Sequence, residues 1–255
     1  MLGTVAALRR YPVKSMLGED VDASEVTRLG LARDRRLAVI SRRTGKIASA
    51  KYPRLWRDLL TLSAQALDHD VSIALPGGKT VWSTDADVDA ILSELLDEPV
   101  TLTATRPPAA SLDRAVPEAV LRAGISAPLH LLTTSTLGRI AELSPYRTAR
   151  LERYRPNIVI RTAAAGFTEN DWLDRILRIG GELTLRVIAR TPRCAVPTLA
   201  HGDLPRNAEA LRVLARRNRV EPMESLAPEP CAGVYAEVLN PGRTAPATSS
   251  AWPDR

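Results

Sequence analysis

Two cysteines, three histidines and a large set of arginines carry most of the chemistry this 255-residue sequence could perform. Cys194 stands in Thr191-Pro192-Arg193-Cys194, directly after an apolar run that reads as a strand. Arg190 and Arg193 beside it favour the thiolate, the form of a thiol that attacks electrophiles or ligates a soft metal. The same position also suits a small buried side chain. Cys231, in Glu229-Pro230-Cys231-Ala232-Gly233, has no cation close by in sequence and reads as structural. Two cysteines cannot form a four-thiolate iron–sulfur or zinc site, and no H-E-x-x-H or C-x-x-C run occurs. His69, His130 and His201 lie far apart, and His130 in Leu129-His130-Leu131-Leu132 fits a core histidine better than a ligand.

Other residues suit an anion. Arg155-Pro156-Asn157 holds a guanidinium and an amide around a rigid turn, an arrangement that fits an anionic heteroaromatic ligand or, more plainly, an exposed turn arginine. Lys14-Ser15 at a strand end could meet a phosphate or pterin oxygen, or only solvent. Thr133-Thr134-Ser135-Thr136 offers hydroxyls and helix N-terminal amides, which bind anions or simply cap the helix. The formal net charge is +6, and only Lys14, Lys46, Lys51 and Lys79 among the 35 basic residues are lysine. Arginine and alanine richness of this kind fits an anionic partner or, more plainly, GC-rich coding. The arginines are dispersed and aromatic residues make up 4%, so the stacking platforms of single-strand binders are missing and no specific nucleic-acid binding is expected.

These residues need a scaffold, and the pattern predicts one that is mainly β with some α. Thr4–Val13, Asp20–Thr27, Val71–Leu75 and Thr80–Trp82 read as short strands. Arg35–Ile40 and Ile47–Ser49 flank Arg43-Thr44-Gly45-Lys46 as a hairpin. Leu55–Leu67 is grouped with the strands around Asp68-His69-Asp70. A helix follows Asp85, with Val88, Ile91, Leu92, Leu95 and Leu96 as its apolar stripe and Pro99 as its stop. Arg106–Ala110 reads as a linker opening a loop to about Ser126. Beyond it come a buried strand at Pro128–Thr133, a helix at Ser135–Leu143, strands at Asn157–Ile160, Leu183–Ile188 and Val234–Leu239, and a helix at Ala208–Asn218. No run approaches the ~20 apolar residues that span a bilayer, and no secretory h-region is present, so a cytoplasmic protein without a membrane segment is expected.

Taken together the motifs resemble the MOSC family, the molybdenum cofactor sulfurase C-terminal domain, with the N-terminal β-barrel domain that often precedes it. The N-terminal matches are Tyr11-Pro12-Val13-Lys14-Ser15, Leu29-Gly30-Leu31 with Asp34-Arg35, and Tyr52-Pro53-Arg54-Leu55. The C-terminal matches are Pro128–Thr134, Tyr154–Ile160, Phe167 through Asp171-Trp172, Thr191–Cys194, Gly202-Asp203 and Gly233-Val234-Tyr235. The resemblance implies an N-terminal β-barrel-like domain over residues 1–110 and a MOSC β-barrel domain over 111–243. Members close with an apolar strand after Pro-Gly. Here Pro241-Gly242-Arg243 leads into Thr, Ala, Pro and Ser, so 244–255 is expected to be a disordered tail.

The resemblance further implies a molybdenum cofactor, with Cys194 as thiolate ligand of the metal and the catalytic position. Lys14, Ser15, Arg35, Thr134, Ser135, Arg155, Asn157, Arg193 and Tyr235 would hold the pterin. The activity implied is reduction of small N-oxygenated compounds, with electrons from a separate donor protein, since this chain carries no iron–sulfur cysteines. Three other readings stay open: a persulfide carrier on Cys194 without molybdenum, a module that binds or delivers the cofactor without turnover, and a cofactor-free tailoring enzyme on the same fold. Pyridoxal phosphate belongs to the family only through fused sulfurases.

Overall fold

The computed structural model describes residues 2–104 and 129–251. The linker expected at Arg106–Ala110, the loop to Ser126 and residues 252–255 lie outside them. The first part holds strands β1 (Gly3–Arg10), β2 (Glu19–Asp20), β3 (Ser24–Thr27), β4 (Gly30–Leu31) and β5 (Leu37–Ser41). The short helix α1 (Pro53–Trp56) follows, then β6 (Ser63–Leu67), β7 (Asp70–Ala74), β8 (Thr80–Trp82), helix α2 (Val88–Leu96) and β9 (Val100–Ala104). The second part holds β10 (Leu129–Thr133), α3 (Thr134–Leu143), β11 (Ile158–Thr162), β12 (Ile176–Ile179) and β13 (Leu183–Pro192). After these come α4 (Glu209–Arg217), β14 (Arg219–Val220), β15 (Glu229–Asn240), β16 (Gly242–Thr244) and β17 (Ser249–Ala251). The architecture is mainly β.

Alternation builds most strands. In β6, Ala64 and Ala66 are buried while Gln65 and Leu67 face out. Along α2, Val88, Leu92 and Leu96 recur every fourth residue and form its buried face. Asp97 then closes the helix in the left-handed region, its N–H donating to the Ser93 and Glu94 carbonyls. The helix α3 starts where Thr133 accepts from the Thr136 N–H, a side-chain N-cap.

The second part forms a circuit. β10 pairs with β11, β11 with β1, β1 with β17, β17 with β12, β12 with β13, β13 with β15, and β15 returns to β10. Among the described residues each strand of this ring has a neighbour on both sides, although β17 meets β1 and β12 over only two residues each, which limits the pairing hazard of an open sheet. Its interior is filled by Val5, Leu8, Leu131, Ile158, Leu185 and Val234, together with Val26 and Leu31 from β3 and β4. A separate core joins Val13, Met16, Val39, Leu59, Ile73, Leu92 and Val100. Each such side chain contributes about 1.5–3 kcal/mol by leaving water.

Packing crosses the expected boundary at residue 110: β1, β3 and β4 pack with the C-terminal core, because β1 supplies the strand between β11 and β17. Three other expectations change. The tail is not disordered over 244–251. β16 pairs with β3, β17 lies between β1 and β12, and Ala247 N–H and Thr248 O bond to the Val5 backbone. Backbone pairing does not depend on apolar side chains, so a polar tail can close the ring. The Arg43–Lys46 turn does form, with one bridge from Ile40 to Ile47, but the ladder partner of β5 is β9. Finally, Leu55–Leu67 is not one strand: α1 and a 3-10 turn at Arg57–Thr61 precede β6.

Candidate cofactor site around Cys194

Cys194 sits just past the end of β13. The Arg193 N–H donates to the Pro230 carbonyl at 2.8 Å and so continues the ladder with β15 up to the cysteine. Cys194 is half-buried against Ala50, Leu60, Val196 and Leu199, so it lies where the two halves meet. Arg193 is 6% exposed. Its guanidinium lies 5.8 Å from the Tyr154 ring centre, and its Nε and Nη1 have no hydrogen-bond partner. Burial pulls its pKa down, while Cys194, Tyr235 and Tyr154 oppose that shift. Tyr154 donates its hydroxyl to the Ala210 carbonyl at 3.0 Å, and burial pushes its pKa up to about 12.

The N-terminal residues reach this place through Tyr11. Its N–H donates to Asp34 Oδ1 at 2.8 Å and its hydroxyl to the Pro156 carbonyl at 3.1 Å. Its ring carries the Arg155 guanidinium at 4.2 Å and the Arg35 guanidinium at 4.8 Å. Arg155 also donates from Nη1 to the Met16 carbonyl at 2.8 Å, tying its loop to the Lys14-Ser15-Met16 segment. Lys14 is buried there, and Ser15 Oγ accepts from the Ala50 N–H at 3.2 Å, beside the packing of Cys194. Ser15, Arg35 and Arg155 all take positive φ, 65°, 50° and 54°. Left-handed non-glycine residues cost energy, and they gather where function holds the backbone.

Lys14, Ser15, Arg35, Arg155, Arg193, Cys194 and buried Tyr235 are therefore drawn toward one seam. Arg35 is not an uncompensated cation, since it forms an ion pair with Asp34. Asn157 stitches strands together: its Oδ1 accepts from the His130 N–H and its Nδ2 donates to the Arg9 carbonyl. Thr134 accepts from the Thr162 N–H, and Ser135 bonds with Thr133, Thr162 and Thr168 and opens onto a different cleft with Gly138, Arg139 and Gly166. Arg190 donates to the Asn170 and Glu221 carbonyls rather than serving Cys194. His130 is a core histidine, its two nitrogens on the Arg155 and Ala232 carbonyls. A side chain at Gly233 would clash with it, because a Cβ there would lie 2.2 Å from His130 Nε2. Cys231 is buried and its thiol is pushed up to about 12, although Arg190 and Arg193 pull the other way.

Tyr11 as the common platform, Arg153 and His201 were not singled out by sequence reasoning. Tyr11 was visible as the head of an N-terminal motif. Arg153 and His201 carry no local signal, because their roles are set by carbonyls and arginines remote in sequence. Arg153 donates to the Pro197, Leu199 and Pro205 carbonyls and braces the loop after Cys194.

The donor set fits an anionic, soft-metal cofactor. A half-exposed thiol stands next to a buried guanidinium with two unmet donors, and Arg155 and Lys14 add positive charge nearby. A buried cation with idle N–H groups is costly unless an anion arrives. Among the described residues no helix is long and apolar enough to cross a membrane.

Residues 2–99 match the MOSC N-terminal beta barrel domain and residues 118–246 match the MOSC domain. The human mitochondrial amidoxime-reducing component 1 is 28% identical over 282 residues, covering 94% of this chain and 80% of that protein. The Bos taurus mitochondrial amidoxime reducing component 2 is 25% identical over 279 residues, covering 93% and 79%. The YUAD protein from Bacillus subtilis superposes with a TM-score of 0.49 at 9% identity, covering 98% of this chain and 94% of that one. Half the chain matches the one domain and most of the remainder matches its N-terminal companion, so this protein belongs to the MOSC family.

Proposed function

We propose that the chain binds a molybdenum pterin cofactor at Cys194 and reduces N-hydroxylated compounds, with electrons from a separate protein, in the cytoplasm. The observation that carries this reading is the buried Arg193 guanidinium beside Cys194, with Nε and Nη1 left without partners. The names of the human and bovine relatives supply the substrate class.

When bound, the cofactor supplies a two-electron metal centre able to take oxygen from an N–OH group. The chain's own residues do the rest. Cys194 Sγ offers a soft ligand, and Ala50, Leu60 and Val196 shield its inner side from water. Arg193 donates from Nε and Nη1 to the cofactor's anionic groups, and Lys14 and Arg155 add charge that offsets its phosphate. Tyr11 orients Arg155, and Arg35 with Asp34 fixes Tyr11. Asn157, Thr134 and Ser135 act by building the walls, since their polar atoms already serve protein partners.

The test is reduction of an aromatic amidoxime to the amidine by protein made in a cofactor-producing host, using an artificial electron donor. Turnover by the wild type and by Cys231→Ser, with none by Cys194→Ser, is expected. Equal turnover in Cys194→Ser would refute the assignment.

A further inference from the structure

The C-terminal half holds a cavity that the reading above leaves unused. It encloses about 490 Å³ between the end of α3, the start of α4 and the loops at 144–150 and 204–207. Neither Cys194 nor Lys14, Ser15, Arg35, Arg155 or Arg193 lines it. Much of its wall is apolar, from Ile140, Ala149, Tyr154, Leu204, Pro205 and Ala210. Tyr146 also lines it, with 64% of the residue exposed. Several of its polar side chains are spent on the protein. Ser144 Oγ accepts from the Tyr146 N–H, Asn207 Oδ1 accepts from the Glu209 N–H, and the Tyr154 hydroxyl donates to the Ala210 carbonyl.

The charges along this wall do not cancel. Glu209 is paired with Arg212 at 3.2 Å, and Arg150 with Glu152 at 3.0 Å. Two lining residues remain, and both are cations. Arg153 is 4% exposed and meets the carbonyls of Pro197, Leu199 and Pro205, but no carboxylate among the described residues. Those dipoles order a guanidinium without neutralising it. Arg206 is exposed and forms no hydrogen bond or ion pair among the described residues. Apolar walls lower the local dielectric, so the field of these two charges reaches further into the cavity than it would in water.

We propose that this cavity binds a compact apolar acid, a single carboxylate on an aromatic body of arylacetate size, with the carboxylate paired to Arg206. The volume lies within the range of about 300–1,000 Å³ that small-molecule pockets span. Tyr146 and Tyr154 supply aromatic surface for the ring. A neutral apolar molecule would leave both arginines without counter-charge, and a cation would be repelled by them. A doubly charged phosphate would have to shed its water against apolar walls. The inference does not depend on metal chemistry at Cys194.

The probe is 1-naphthylacetate, and 1-naphthylacetamide, which keeps the same body without the charge, is the control. Calorimetric titration of the full chain should show the acid binding with a Kd of about 0.1 mM or below, which is within reach of so small a ligand. The amide should bind at least about tenfold more weakly, a difference of about 1.4 kcal/mol. Arg206→Gln, an exposed change that leaves the core alone, should weaken the acid about tenfold and leave the amide unchanged. Ala149→Phe, with its fold checked by circular dichroism, should fill the cavity and lose both compounds. Cys194→Ser should bind the acid as the wild type does, which separates this inference from the redox reading. No binding of the acid by the wild type would overturn the proposal, as would equal binding of acid and amide. So would an Arg206→Gln chain that binds the acid undiminished, or loss of the acid in Cys194→Ser, which would move the ligand to the cysteine.

Discussion

Replacing Arg193 by methionine should have opposite effects on the empty and the loaded protein. Methionine keeps most of the apolar stem and removes the charge. In the cofactor-free chain that charge is 6% exposed and two of its nitrogens have no partner. Each buried unmet donor costs about 1–3 kcal/mol, and an uncompensated buried ion costs several kcal/mol. Against this stands the contact with the Tyr154 ring at 5.8 Å, worth about 0.5–2 kcal/mol. The balance favours Arg193→Met by about 1–4 kcal/mol, a rise in Tm of about 2–16 °C at about 2–4 °C per kcal/mol. In the loaded protein the same change removes charge-assisted hydrogen bonds of about 1.5–3 kcal/mol each, or about 10- to 150-fold in cofactor affinity for each one lost. The assay is thermal unfolding by circular dichroism, on chains produced in hosts with and without the cofactor pathway, beside their molybdenum content. A cofactor-free Arg193→Met that melts below the wild type would refute the argument, as would a loaded variant with undiminished molybdenum.

Further outcomes follow from the same geometry. Arg155→Ala cuts the bond to the Met16 carbonyl and the stacking on Tyr11, so it should fold with a loss of about 2–4 kcal/mol; a Tm within ~2 °C of the wild type would contradict this. A thiol reagent should titrate half-exposed Cys194 quickly in the native protein and Cys231 only after denaturation, because Cys231 is buried with its pKa near 12; two fast thiols would contradict the placement. His201 is a base whose pKa falls from 6.5 to about 4 on folding, so the unfolded chain takes the proton first and stability rises with pH. Between pH 6.5 and 4 the wild type should lose about 3 kcal/mol that His201→Phe keeps, and parallel pH profiles of the two would sink this. Any nucleic-acid association should be weak and vanish near physiological salt, as counterion release dictates; a salt-resistant, sequence-selective complex would show that the basic charge has another purpose.

Local pattern revealed a great deal here. The fourfold stripe of Val88, Leu92 and Leu96 places α2 without any tertiary information, whereas the start of β6 inside Leu55–Leu67 is not marked in the sequence. The Pro76-Gly77-Gly78 turn follows from residue chemistry, and both glycines take positive φ. The pairing of β1 with β11 joins residues more than 140 positions apart, and nothing in either strand names the other. For the same reason the ring closure by β17 was hidden behind a polar composition. In the candidate site, the closeness of Lys14, Ser15, Arg155, Arg193 and Cys194 to element ends is legible, because each stands in a short motif there. The contributions of Arg153 and His201 were not, since distant carbonyls and charges create them. The Asp34–Arg35 pair is readable in adjacent residues, and it offsets the arginine's charge within the protein.

The central claim is that Cys194 and the basic residues around it hold molybdenum. Elemental analysis of chain purified from a cofactor-producing host tests it most directly. The account predicts molybdenum near one atom per chain in the wild type and in Cys231→Ser, and almost none in Cys194→Ser, because oxygen is a harder donor than sulfur. Wild-type protein without molybdenum, or Cys194→Ser carrying as much as the wild type, would contradict it.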